Sequence, residues 1–388
     1  MPIETSASDV PFIPGDGIGP EIMEAARMVL DAAVSISTGG RRSIRWVELQ
    51  AGESSYASSG EWLPAATLSS IRRAGVAMKG PLATPVGGGI RSLNVALRQA
   101  LDLYASVRPV RHITGVPSPV RHPESVDLVI FRENTEDVYA GIEWGRGTEG
   151  ARKVREFLRD SLGIDVPEDS GLGLKPISER ATKRLVRAAI SYAAGSGRGV
   201  VTLVHKGNIM KSTEGAFRDW GYEVARDEFP GTAVFSAAAA QVGKVLVNDR
   251  IADNMFQQVL TRPSEYSVLA TPNLNGDYLA DACAAQVGGL GFAPGANIGD
   301  AAAVFEPVHG TAPKYAGKDV ANPCALVLSG ALMLERLDME DAARSVLRAL
   351  EGTLADGVAT EDVARAKAGV RAVGTRRFSE EVVSRMTG

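Results

Sequence analysis

Two hydrophobic periods alternate along this chain, and that alternation is what most limits its fold. Short apolar runs at residues 10–13, 43–50, 126–132, 200–205 and 266–270 read as strands. Between them, residues 20–33, 180–194 and 251–260 repeat apolar side chains at helical spacing. Pro20 followed by Glu21 is a helix-start signal. The alternation predicts an α/β fold rather than separate all-α and all-β parts. A length of 388 residues suits about two domains. Residues 320–334 are apolar but too short to span a membrane, and they read as a buried helix. Residues 141–175 break the pattern, being rich in glycine and charge around one helical patch at 153–162. They read as an insertion, a dimerisation arm or a long connection.

Charge and cysteine content exclude several functions. With 42 basic and 46 acidic residues the net charge is −4, which gives no footprint for nucleic acid or an anionic membrane. Any anion site must be local. Cys283 and Cys324 are the only cysteines, so there is no disulfide framework and no thiolate metal site. The N-terminus lacks the basic start and apolar core of a secretory signal, which predicts a cytoplasmic protein.

Gly15-Asp-Gly-Ile-Gly19 follows a strand and precedes a helix, which invites a dinucleotide-binding reading. Its third glycine comes too early for that fingerprint, and Pro20 follows at once. A tight strand-to-helix turn that could line a cleft remains. A richer signal is the segment 85–98, where Gly87-Gly88-Gly89 delivers Arg91, Ser92, Asn94 and Arg98 to a helix start. Backbone amides, polar side chains and guanidinium groups together suit an anion rich in carboxylates or phosphate. A glycine-rich surface turn beside a solvated basic face is the plain alternative.

Asp277 and Asp281 stand i, i+4 and share one face of a helix. Two such carboxylates suit Mg²⁺ or Mn²⁺, although an acidic helix start favoured by the dipole has the same pattern. Asp253 is a lone acidic residue on a helix. Arg108 and Arg132 lie in extended segments and can reach into a cleft. Tyr139 and Lys206 suit proton transfer if burial or nearby charge lowers their pKa values. His309-Gly310-Thr311-Ala312-Pro-Lys314-Tyr315 gathers a histidine, backbone amides, a cation and an aromatic ring, as a nucleotide with an extra phosphate requires. A polar surface loop is the commoner outcome for such a string.

Taken in order, these strings resemble the β-decarboxylating dehydrogenases, most nearly the bacterial NADP-dependent isocitrate dehydrogenase branch. The resemblance is carried by Lys79-Gly-Pro81, residues 87–98, Phe131-Arg-Glu-Asn134, residues 137–144 and 202–211, Leu274-Asn-Gly-Asp-Tyr278 and residues 309–317. It implies a two-domain fold distinct from the Rossmann arrangement. Residues 1–103 and 288–388 would form a large domain and 104–135 and 179–287 a small one, with a dimer clasp at 136–178. Ser92, Asn94, Arg98, Arg108 and Arg132 would bind isocitrate. Asp277 and Asp281, with Asp253 of the partner subunit, would hold Mg²⁺ or Mn²⁺. Tyr139 and Lys206 of the partner subunit would transfer protons in a homodimer.

The resemblance also implies NADP as cofactor, bound through His309, Gly310, Thr311, Ala312, Lys314, Tyr315 and Asn322. A further tyrosine and arginine of that branch should fall near Thr360 and Ala364, where neither occurs, and Arg365 stands next to the second position. The implied reaction is decarboxylation of isocitrate to 2-oxoglutarate in the tricarboxylic acid cycle. Ser92 and Asn94 suit a third carboxylate better than the apolar group of isopropylmalate, while homoisocitrate stays open. Ser92 would also be the target of a regulatory kinase. A metal- and anion-binding module without catalysis is the reading from another class, and retention of both Tyr139 and Lys206 argues against it.

Overall fold

The computed structural model describes residues 6–83, 92–239 and 241–387. The Gly87–Gly89 turn and Arg91 therefore lie outside the described residues. In chain order the elements open with β1 (Ser6–Ile13), α1 (Gly19–Thr38), β2 (Arg42–Glu48), α2 (Glu53–Ser59), α3 (Ala65–Ala74) and β3 (Val76–Lys79). There follow α4 (Leu93–Ala100), β4 (Ala105–Arg111), β5 (Asp127–Glu133), β6 (Glu143–Trp144), α5 (Glu149–Leu162), β7 (Leu172–Gly173), α6 (Glu179–Gly195) and β8 (Val200–His205). The chain continues through α7 (Ala216–Glu228), β9 (Ala233–Val234), β10 (Val245–Ile251), α8 (Ala252–Thr261), β11 (Val268–Thr271) and α9 (Asn273–Gln286). It closes with β12 (Pro294–Ile298), β13 (Ala303–Pro307), α10 (Cys324–Arg336), α11 (Glu340–Ala355), β14 (Val358–Ala359), α12 (Glu361–Ala366), β15 (Arg371–Ala372) and α13 (Thr375–Thr387).

Among the described residues, one sheet of eleven strands runs in the order β2-β1-β3-β13-β12-β4-β5-β11-β8-β10-β9. Both of its ends are parallel, and the pairings β13–β12, β12–β4 and β4–β5 are antiparallel. Helices α1, α10, α11 and α13 pack together over one end, and α6 and α7 cover the other. In such open sheets ligands gather beyond the carboxyl ends of strands, where the strand direction changes. Lys79, Arg132 and Glu306 all lie in the last two residues of their strands.

Local chemistry explains where the boundaries depart from the expected ones. The predicted buried helix at 320–334 begins only at Cys324, because Pro323 disfavours helical backbone before it. Asn322 Oδ1 accepts from the Cys324 amide at 2.9 Å and closes that start. The arm helix extends back to Glu149 because Thr148 caps it, accepting from the Ala151 amide at 3.2 Å. The arm is held by the two-stranded β6–β7 ribbon. It buries only Ala151 of α5 and leaves Phe157, Leu162, Ile164 and Leu174 exposed. No described helix is long and apolar enough to cross a membrane.

Candidate active site

The site begins where α9 presses against the end of β5. Gly276 makes this contact possible: a Cβ there would lie 2.2 Å from Thr271 Oγ1 and 2.8 Å from Arg132 Cβ. The close approach puts the first turn of α9 against a buried guanidinium. Arg132 Nε donates to Asn273 Oδ1 at 2.8 Å, and its terminal nitrogen pairs with Asp277. The Tyr139 hydroxyl donates to the other Asp277 oxygen at 2.5 Å, and its ring lies 4.7 Å from the Arg132 guanidinium carbon. Arg108 comes from the adjacent strand β4 and stands 3.5 Å from both Asp277 and Asp281. The expected shared face of Asp277 and Asp281 is therefore real, and it is turned toward cations.

Burial pushes the Asp277 carboxyl up, but Arg132 and the Tyr139 hydroxyl outweigh it and hold the group below its usual range. Asp281 ends up raised, since burial is only partly offset by Arg108. Burial and the neighbouring Arg108 bring Arg132 down to about 10. The Tyr139 phenol is raised by burial and by its bond to Asp277. The condition of a lowered Tyr139 pKa is therefore not met: burial and a carboxylate accepting its proton both favour the neutral phenol. Tyr139 is thus kept in the form of a proton donor.

A second cluster forms the adjoining wall. Lys79, almost fully buried at the end of β3, pairs with Glu306 at 2.5 Å and donates to Asn94 Oδ1 at 3.0 Å. Arg98 reaches the other Glu306 oxygen at 2.8 Å, and Asn297 Nδ2 donates there at 2.6 Å. Burial alone would raise the Glu306 carboxyl, yet Lys79 and Arg98 hold it far below its ordinary value. With Arg108 these residues line a single cleft that ends at His309 and Gly310. Ser92 is half-buried at the N-cap of α4, which brings Asn94 and Arg98 to this wall.

His309 and Gly310 also line a second cavity with Ile18, Ala312, Tyr315, Asn322 and Arg365. The turn that imitated a dinucleotide fingerprint supports this loop. Gly17 has φ +59°, and a Cβ there would meet the Thr311 carbonyl oxygen at 2.1 Å, so only glycine fits. The Ile18 amide donates to that same Thr311 oxygen at 2.9 Å. Lys314 lies 4.7 Å over the Tyr315 ring. Buried His309 Nε2 has no hydrogen-bond partner among the described residues, and burial lowers the imidazole pKa. Its Nδ1 donates to the Gly310 carbonyl at 2.9 Å, so Nε2 of the neutral ring is an acceptor, and an acceptor left unsatisfied in a cavity fits a bound polar ligand.

Two observations concern the far side of this cavity. Thr360 is buried and donates to Asp362 Oδ1 at 2.6 Å, turning away from the opening. The cavity is faced by Glu361, Asp362 and Arg365, and Arg365, the neighbour of Ala364, pairs with Glu361 at 2.8 Å.

The remaining candidates stand apart. Lys206, after β8, pairs with Asp253 at the start of α8 at 2.5 Å, and both side chains are solvent-accessible. Within one chain, no described group of three His, Cys, Asp or Glu residues could hold a metal, so Asp253 does not join Asp277 and Asp281 there. Sequence reading missed Glu306 and gave Lys79 no role in the site. The signal for Glu306 was present: one acidic residue inside the apolar run 301–308.

The geometry is a cation-walled cleft with two carboxylates, a phenol and an adjoining cavity. Comparison with known proteins agrees with it. An "Isocitrate dehydrogenase [NADP]" of Archaeoglobus fulgidus is 56% identical over 97% of this chain and 92% of its own length. The "Isocitrate dehydrogenase [NADP]" of Haloferax volcanii is 53% identical over 98% of this chain and 93% of that one. The crystal structure of isocitrate dehydrogenase from Methylococcus capsulatus superposes with a TM-score of 0.82 at 39% identity, covering 98% of this chain and 99% of that one. The profile described as Isocitrate/isopropylmalate dehydrogenase matches residues 9–382, and the chain belongs to that family.

Proposed function

We propose that this protein catalyses the oxidative decarboxylation of D-isocitrate to 2-oxoglutarate and CO2 with reduction of NADP⁺, as a step of the tricarboxylic acid cycle. The observation that carries the reading is that Arg98 and Arg108 line one cleft, Arg108 reaches on to Asp277 and Asp281, Arg132 pairs with Asp277, and His309 is shared with a second cavity. Three guanidinium groups suit a tricarboxylate, and Ser92 and Asn94 give its third carboxylate a hydroxyl and an amide. A large unit of residues 1–103 and 288–388 and a small unit of 104–135 and 179–287 enclose the cleft. The arm at 136–178, with its exposed Phe157 and Leu162, clasps a second copy.

The donor set fits a hard cation, since Asp277 and Asp281 offer only oxygen from one face of α9. Asp253 of the partner subunit completes it. Bound Mg²⁺ or Mn²⁺ supplies Lewis-acid polarisation of the oxygen on C2, and bound NADP⁺ supplies the hydride acceptor. Lys206 of the partner subunit takes the proton from the C2 hydroxyl. Once the β-carboxylate has left as CO2, Tyr139 returns a proton to C3. Its raised pKa keeps that proton on the phenol at neutral pH. His309, Asn322, Lys314, Tyr315 and Arg365 hold the nucleotide, the last three suiting a 2′-phosphate. A phosphoryl group placed on Ser92 by a regulatory kinase would repel the substrate carboxylates directly.

The test is reduction of cofactor by purified protein with D-isocitrate, comparing NADP⁺ with NAD⁺ and added Mg²⁺ with excess chelator. Metal-dependent reduction of NADP⁺ well above NAD⁺ is expected. Turnover of homoisocitrate or isopropylmalate in place of isocitrate would overturn the substrate assignment. No turnover with any of them would overturn the enzyme reading.

A further inference from the structure

Glu214 is completely buried and lines neither the cleft nor the second cavity. It sits in a single π-helical turn, Lys211–Gly215, before α7. Its carboxylate receives three donors, two from distant segments and one from the chain just upstream. Lys175 Nζ, from the arm, reaches Oε1 at 2.6 Å. The backbone amide of Lys206 reaches Oε2 at 2.5 Å, and Asn275 Nδ2 reaches the same oxygen at 2.8 Å. Asn275 lies two residues before Asp277, on the first turn of α9.

Lys175 carries the connection one step further. The same ammonium group lies 3.1 Å from Asp137 Oδ1, and the other Asp137 oxygen accepts from the Leu274 amide at 2.9 Å. Asp137 opens the short turn that bears Tyr139 and holds a left-handed backbone, φ +68°. An aspartate in that region is a strained choice, and surrounding contacts must hold it there. Its own amide donates to the Pro176 carbonyl at 2.9 Å, next to Lys175 in the chain.

We propose that Glu214, bridged by Lys175 to Asp137, is a positioning residue serving two active sites at once, which rests on the shared-site reading above. It fixes the backbone of Lys206, whose side chain works in the neighbouring subunit's site. Through Asn275 and Lys175 it also fixes the segments that carry Asp277 and Tyr139 in its own. A buried carboxylate is costly unless its partners are all in place, so the three segments are held together or not at all. The network thereby links the acid of one site to the base of the other. None of Arg98, Arg108 and Arg132 touches Glu214 or Lys175, so loss of the network leaves substrate anchoring in place.

Glu214→Gln should lower kcat about 10- to 100-fold, as a small misplacement of reacting groups does. The KM for isocitrate should stay within about twofold, because the anchoring contacts are retained. Lys175→Met should act in the same direction, and Lys175→Arg should recover most of the loss because a guanidinium can still reach both carboxylates. Mixed dimers then separate the two arms. A Lys206→Met subunit paired with a Tyr139→Phe subunit keeps one complete site, using Tyr139 and Asp277 of the first and Lys206 of the second. Adding Glu214→Gln to the first subunit tests the Asn275 arm; adding it to the second tests the Lys206 arm. Lower turnover in both placements is expected. A loss in one placement only, in neither, or one expressed as a raised KM with kcat intact would overturn the proposal. If the Gln variant does not assemble, Lys175→Met in the same two placements decides by the same criteria. An inactive parent mixed dimer would instead fell the shared-site reading, and the proposal with it.

Discussion

Lys79–Glu306 and Lys206–Asp253 are ion pairs of equal length, 2.5 Å, in opposite surroundings. The Lys79 and Glu306 side chains are 2% and 9% exposed, and Arg98 and Asn297 complete the shell around the carboxylate. The Lys206 and Asp253 side chains are 34% and 70% exposed. The inner pair is part of the wall of the cleft, and removing one partner leaves an uncompensated buried charge. The outer pair is screened by water and adds little to the stability of its own chain. The contrast separates residues that build the cleft from residues left open to solvent, which the proposed function assigns to a neighbouring subunit's site.

The largest effect that tests this contrast belongs to the outer pair. Lys206→Met should lower kcat about 10²- to 10⁴-fold, the usual worth of a general base, while thermal unfolding stays close to that of the parent. A large fall in Tm with kcat retained would reverse the assignment. For the inner pair the expectation is the opposite: Glu306→Leu should cost about 3–5 kcal/mol of stability, read from urea denaturation. An unchanged midpoint would break the comparison. Arg365→Ala should narrow the preference for NADP⁺ over NAD⁺ about tenfold, the worth of a charge-assisted hydrogen bond. Steady-state kinetics with both cofactors measure it, and an unchanged ratio would leave discrimination to Lys314 and Tyr315. The smallest effect sharpens the interior side. Burial pushes the Cys283 thiol up to about 12 and Cys324 well above its ordinary value. A thiol reagent at mild alkaline pH should therefore label neither cysteine until denaturant is added.

Much of this architecture is legible in the chain because its signals are local. The periods that mark residues 200–205 and 180–194 fall on β8 and α6 almost to the residue. The i, i+4 spacing of Asp277 and Asp281 correctly places them on one helix. Information that depends on tertiary approach is not legible in this way. Nothing near Gly276 in sequence says that its missing Cβ is what lets α9 reach Arg132. The rise in the Tyr139 pKa comes from burial and then from a carboxylate far away in sequence, neither of which the local sequence displays. At the second cavity the expected tyrosine and arginine are missing from Thr360 and Ala364, and only the folded chain shows that Arg365, beside Ala364, faces the opening. Glu306 went unread for a related reason, since a charge in a buried strand declares a partner without naming it.

The central claim is that one complete site needs two subunits, and the simplest mixing experiment addresses it. Inactive Lys206→Met protein and inactive Tyr139→Phe protein are combined, allowed to exchange subunits, and assayed with isocitrate, NADP⁺ and Mg²⁺. Random exchange in a twofold dimer should restore about a quarter of the parent activity, because half the dimers are mixed and each holds one intact site. Activity that stays at the level of the separate variants after proven exchange would contradict the account, placing Lys206 and Tyr139 in the same subunit's site.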